Sequence, residues 1–174
     1  MSRTAARPGP VAPLRRGLSL IAVFCVFCVF CGSLLAQPGS AAFVGHWRLV
    51  TFENFDEKGV ARDAGYDSGR ITYDAAGNMS AQLMRTGRKP LSQPSTEAER
   101  AAAYSTYVAY YGKYTIDASS SKVTHAVEGA VNPNWVKTDL VRYYEFSADG
   151  RRLMLSIRNA AGRVTGTLTW ERIE

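Results

Sequence analysis

The sequence predicts a mainly β protein, an antiparallel up-and-down barrel of about eight strands with one helix, preceded by an N-terminal apolar leader helix. Three observations carry this. Eight segments alternate apolar and polar residues at the two-residue period of a strand. The separators between them are short and rich in Asp, Asn, Gly and Ser, the residues that serve tight turns. The first segment opens on Gly45-His46-Trp47 and so buries a Trp at the very start of the fold. Evenly spaced short strands with hairpin-length connections form a meander, and closing it removes the exposed edges that a flat sheet would keep.

The leader comes first in the chain. Residues 1–42 carry Arg3, Arg7, Arg15 and Arg16 and no acid, followed by an uncharged apolar run from Leu18 to Ala36. A basic segment ahead of an apolar one is the pattern of a secretory signal peptide. Leu34-Leu35-Ala36 is a poor cleavage site and Ser40-Ala41-Ala42 a better one. The run also approaches the roughly 20 residues that a membrane-spanning helix needs, which leaves an uncleaved anchor as the alternative. Export to the periplasm or beyond is therefore expected, with membrane anchoring as the second reading. A lipid-attached form is disfavoured, because Phe30 precedes Cys31 where a small residue would be needed.

Setting the leader apart changes the composition. Four of the 21 basic residues lie in it, so the rest of the chain holds 17 against 15 acidic and a net charge of +2 rather than +6. That is no nucleic-acid footprint, which requires basic residues clustered on a folded surface. Cys25, Cys28 and Cys31 all fall in the apolar run, so residues 43–174 form one cysteine-free domain that must stand on its core alone.

Within that domain, strands are expected near Gly45–Glu53, Gly69–Asp74, Asn78–Met84, Gly112–Asp117, Lys122–Gly129, Asp139–Ser147, Arg152–Arg158 and Arg163–Ile173. The helix is the exception to the pattern. Thr96-Glu97-Ala98-Glu99 has the form of a capping box, in which the Thr side chain and the Glu carboxylate each satisfy an orphan N–H of the first turn. Ala101 to Ala103 favour helix, and Gly112 offers a stop. Tyr104, Tyr107, Val108 and Tyr111 then share one helical face, which either packs on the barrel or forms a lid whose hydroxyls meet a ligand.

Residues suited to chemistry are few. The domain has two histidines nearly eighty residues apart, and no nucleophile elbow, paired-His metal motif or phosphate-cradling loop. No metal or cofactor is expected. His46 alternates with Trp47 and faces solvent. His125 shares a strand face with Val123 and Val127, so an inward face would put its imidazole in an apolar row, either as a satisfied interior group or as a ligand-orienting or acid–base group. Glu128, three residues on, falls on the other face. In Asp139–Phe146, Leu140, Arg142, Tyr144 and Phe146 share one face. An inward Arg142 must be paired or bind an anion, since an isolated buried charge is costly, and with His125 and tyrosines around it the site would suit a carboxylate or enol on an apolar body. Otherwise Arg142 plugs the barrel end or is solvated at a rim. Trp135, in the Asn132-Pro133-Asn134 loop, packs in the loop or covers the barrel mouth.

Phe43 to Val50, Gly69 to Met84, Tyr110 to Asp117, Val123 to Gly129, Asn132 to Val136 and Leu168 to Arg172 together resemble the bacterial and fungal lipocalin-like domain family over essentially the whole chain after the leader. The resemblance implies a calycin-type barrel. It also implies that Gly45 opens the first strand, with Trp47 plugging the closed end against an arginine from a late strand, Arg172 or Arg142, in a cation–π contact of about 0.5–2 kcal/mol. The fold by itself assigns no chemistry. The reading preferred is binding of a small, mostly apolar ligand inside the barrel by His125, Arg142, Tyr144, Trp135, Tyr107 and Tyr111. One alternative is an isomerase, cyclase or hydratase with His125 as acid or base. Another is a structural or interaction module whose barrel is filled by its own side chains.

Overall fold

The computed structural model describes residues 39–173; positions 1–38 of the expected leader, its apolar run included, lie outside them. A 3₁₀ turn at Ser40–Ala42 is followed by nine strands and one helix: β1 (Gly45–Phe55), β2 (Ala61–Asp63), β3 (Ser68–Tyr73), β4 (Asn78–Met84), α1 (Glu97–Ser105), β5 (Tyr107–Asp117), β6 (Lys122–Ala130), a 3₁₀ turn at Pro133–Trp135, β7 (Asp139–Phe146), β8 (Arg152–Arg158) and β9 (Val164–Ile173). Every strand pairs antiparallel with its sequence neighbour from β3 onward, and β1 pairs with both β3 and β9. The eight long strands therefore close into a barrel. The three-residue β2 is a short flap on the distal half of β1, where Glu53 faces Asp63 and Phe55 faces Ala61.

Connections alternate between two ends. Tight turns at 74–77, 117–121 and 147–151 share one end with the N-terminal 3₁₀ turn. Asp74, Asp117 and Asp149 each accept backbone N–H donors within their own turn. Hydroxyl donors from Ser119 and Ser120, with these backbone bonds, hold the Asp117 carboxyl down to about 2. The other end carries the longer connections: the 56–67 segment, α1, the Trp135 turn and the 159–163 turn.

The capping box of α1 forms as expected, with the Glu99 backbone N–H donating to Thr96 Oγ1 and the Thr96 N–H to the Glu99 carboxylate. The Ser92 hydroxyl, then the Thr96 N–H and hydroxyl, hold the Glu99 carboxyl down to about 2. The expected length of the helix is corrected. It stops at Ser105, and Tyr107, Val108 and Tyr111 belong to β5, where Val108 pairs with Leu83 and Tyr111 with Ser80. The aromatic and β-branched run favours a strand once a neighbouring edge is available to pair with it. Gly112 is no helix stop. It sits inside β5 at a bulge, where a Cβ would come within 2.0 Å of the Ala126 carbonyl oxygen.

The closed end is filled with aromatic rings. Phe43 packs edge-on against Tyr73, Tyr144 and Phe146 at 4.9–5.2 Å between centroids. Trp47 is fully buried, donates its indole N–H to the Phe43 carbonyl at 2.9 Å, and lies under the Arg172 guanidinium at 4.1 Å. Arg172 also donates to the carbonyls of Val44 (2.8 Å) and Ala42 (2.6 Å). Arg172, not Arg142, is thus the arginine over the plug. Gly45 is required by its neighbour: its φ is +134°, and a Cβ there would lie 2.7 Å from Arg172 Nη1.

Candidate functional site

Above that floor the barrel is hollow. A cavity of about 400 Å³ runs from mid-barrel to the end bearing α1 and the Trp135 turn. Ile71, Leu83, Leu155 and Leu168 supply apolar walls, from four different strands. Their positions follow from the strand alternation, which points Ile71 inward with Tyr73, and Leu155 inward with Leu153. At the mouth, Tyr66 stacks on Phe52 (5.7 Å) and lies beneath the Arg85 guanidinium (4.9 Å). Trp135 stands edge-on to Tyr110 at 5.8 Å and lines the cavity from its turn. That turn is set by Asn132, whose side-chain oxygen accepts the Asn134 N–H, and by Pro133.

The polar groups gather at the cavity base. Arg142 points inward from β7 and donates to the Val141 carbonyl at 2.9 Å. Its charge is felt at the Tyr110 hydroxyl, where it opposes part of the upward push of burial. Just behind the wall, His125 is fully buried between two phenols: its Nε2 lies 2.8 Å from the Tyr73 hydroxyl and its Nδ1 3.0 Å from the Tyr110 hydroxyl. Burial, reinforced by the Arg142 charge, holds the imidazole down to about 3. Burial also pushes the Tyr73 and Tyr110 phenols up, so all three groups are neutral at physiological pH.

A neutral imidazole has one donor and one acceptor nitrogen, and the surroundings assign them. Tyr73 is buried, and among the described residues His125 Nε2 is its hydroxyl's hydrogen-bond partner, so its O–H donates there. The proton of His125 then sits on Nδ1 and donates to Tyr110. The Tyr110 oxygen thus accepts from His125, which leaves its own proton free to turn toward the cavity it lines. Trp170, also on the cavity wall and 1% exposed, has an indole N–H with no acceptor among the described residues. Those residues also place no carboxylate on the cavity wall.

The residues expected to line the site therefore divide. Arg142 and Trp135 line the cavity. His125 faces inward as its strand pattern implied, but it stands behind Tyr110 and both its ring nitrogens are occupied. The other three lie elsewhere. Tyr144 is part of the floor, against Phe43 and Phe146. Tyr107 is on the outer rim under the Arg88 guanidinium. Tyr111 is 58% exposed on the outside, its ring filling the space left by Gly129. The last two placements follow from β5 being a strand: Tyr110 points in, so its neighbour Tyr111 points out. Tyr110, Tyr73 and Trp170 were missed. Strand alternation from Ile71 and from Tyr114 would have found the first two; the role of Trp170 depends on which groups surround it. His46 is exposed and within 3.1 Å of the Thr72 hydroxyl, and Glu128 is exposed as expected. No three His, Cys, Asp or Glu side chains gather as a metal-binding group among the described residues.

Comparison with known proteins gives the chain a setting. The profile of the lipocalin-like domain matches residues 44–173. Among solved structures, a redesigned beta barrel is similar at 12% identity, with a TM-score of 0.43, over 79% of this chain and 97% of that one. No curated protein matches.

Proposed function

The chain belongs to the lipocalin-like domain family, and we propose that it binds a small, mostly apolar molecule inside the hollow half of its barrel. The observation that carries this is the cavity of about 400 Å³ with apolar walls and an aromatic mouth. Its size is within the range of about 300–1,000 Å³ used by small-molecule sites. A barrel serving only as an interaction module has no need of such a space, since eight strands can be packed solid, as the closed end here is. Proton-transfer catalysis by His125 is less well supported. Its two nitrogens are bonded to Tyr73 and Tyr110, and the charged form is suppressed, so it offers neither a free base nor a proton to a molecule in the cavity. On the strength of the basic and apolar leader alone, we also propose export, with the apolar run either cleaved or kept as an anchor.

Titration with 1-aminoanthracene, a neutral apolar fluorophore, tests the binding reading. One saturable site is expected, with enhanced fluorescence, and it should disappear in Leu168→Trp, which fills the cavity. Signal that never saturates, or that persists unchanged in a folded Leu168→Trp, refutes it.

A further inference from the structure

We infer that the cavity selects an amphipathic anion, a carboxylate on an apolar body, bound head-down with the carboxylate at mid-barrel and the body toward Trp135. The inference rests on the proposal that the interior is a binding site, and adds the charge and orientation of what it binds. Three donors on the cavity wall meet no matching acceptor. Among the described residues the Arg142 guanidinium is met by a backbone carbonyl and by no carboxylate. The Tyr110 proton is free to turn inward because its oxygen accepts from His125. The Trp170 N–H is buried without an acceptor.

Unmatched donors and an uncompensated cation in a part-buried site are costly unless a ligand supplies acceptors and negative charge, and a carboxylate supplies both. The axial order sets the orientation. Arg142 lies one inward position above Tyr144 of the floor, and Trp170 pairs with buried Leu153 of β8. Apolar walls and Trp135 lie on the mouth side, and the cation there, Arg85, is exposed to solvent and stacked on Tyr66, so the part-buried Arg142 is the charge that calls for a partner and the charged head is the end that enters first. The His125 bridge has a positioning role: by holding Nδ1–H on Tyr110, it keeps that hydroxyl available as a donor.

Calorimetric titration of the full chain with decanoate and with decan-1-ol, which share one tail and differ in the head, tests this. Decanoate is expected to bind at least ten-fold more tightly. Arg142→Met should bring decanoate down to the affinity of the alcohol and leave the alcohol unchanged. Trp170→Phe should weaken decanoate a few-fold. Equal affinities for the two probes in the native chain would overturn the charge assignment while leaving interior binding intact. Failure of both probes to bind would overturn the interior-binding reading as well. If Arg142→Met does not fold, the acid-to-alcohol ratio in the native chain and in Trp170→Phe still decides.

Discussion

At the closed end, Trp47 donates its indole N–H to Phe43 and lies beneath an arginine that donates to two further carbonyls. At the hollow end, Trp170 has an indole N–H without an acceptor among the described residues, and Arg142 is met by one carbonyl. The residue types are the same; what differs is whether the protein satisfies them. Where a fold matches its own donors, those donors contribute stability. Where it leaves them unmatched in a walled space, they give up stability and become available to something else. The contrast separates scaffold from site without any appeal to which residues look reactive.

The comparison makes stability predictions that fall in size from the closed end to the hollow one. Trp47→Ala should cost about 3–5 kcal/mol, through a large cavity in the floor and an uncovered Arg172, and chemical denaturation reads this directly. A midpoint close to the native value would mean that the floor is not the scaffold. Acid comes next, acting at the boundary between the two ends. In the fold His125 stays neutral down to about 3, whereas the unfolded chain takes up its proton below about 6.5. Stability from this group is therefore complete above pH 6.5 and is lost as the pH falls, at about 1.4 kcal/mol per pH unit, or about 2–3 kcal/mol by pH 4.5. Unfolding free energies for the native chain and His125→Gln should keep a constant offset above pH 6.5 and converge as the pH falls below it; an offset unchanged down to pH 4.5 would contradict the buried neutral imidazole.

Arg172→Met should then cost about 1–3 kcal/mol, from the lost cation–π contact and the carbonyls left without their donor. Arg142→Met should stay within about 1 kcal/mol of the native chain or exceed it, because it removes a charge that the fold does not pair. Melting curves for these two variants, run side by side, are the sharpest check. If both fall equally, the two ends do not differ in the way described.

Much of the architecture was legible because alternation and turn chemistry act locally. The bounds of β4 and β8, the capping box at Thr96 and Glu99, and the inward His125 follow from spacing alone. The Tyr107–Tyr111 segment misled because its residues satisfy the helical period and strand preference at once; only pairing with β4 decides between them. β2 is too short to show a pattern. The site was legible in part. Arg142 and Trp135 could be named from the strand face and the loop. Tyr73 and Tyr110 meet His125 across 52 and 15 residues of chain, through register and a bulge that no local pattern encodes.

The clasp of Arg172 on Ala42 and Val44 joins residues 130 and 128 positions apart, and β1 lies along β9 on the same side. The ring can therefore be completed only when β9 exists. A nascent chain lacking it carries two bare edges, β1 and β8, and has no guanidinium to cover its first tryptophan. Folding of the barrel must wait for β9, and the interval between synthesis of β1 and of β9 is when the chain is most open to self-association or to a chaperone.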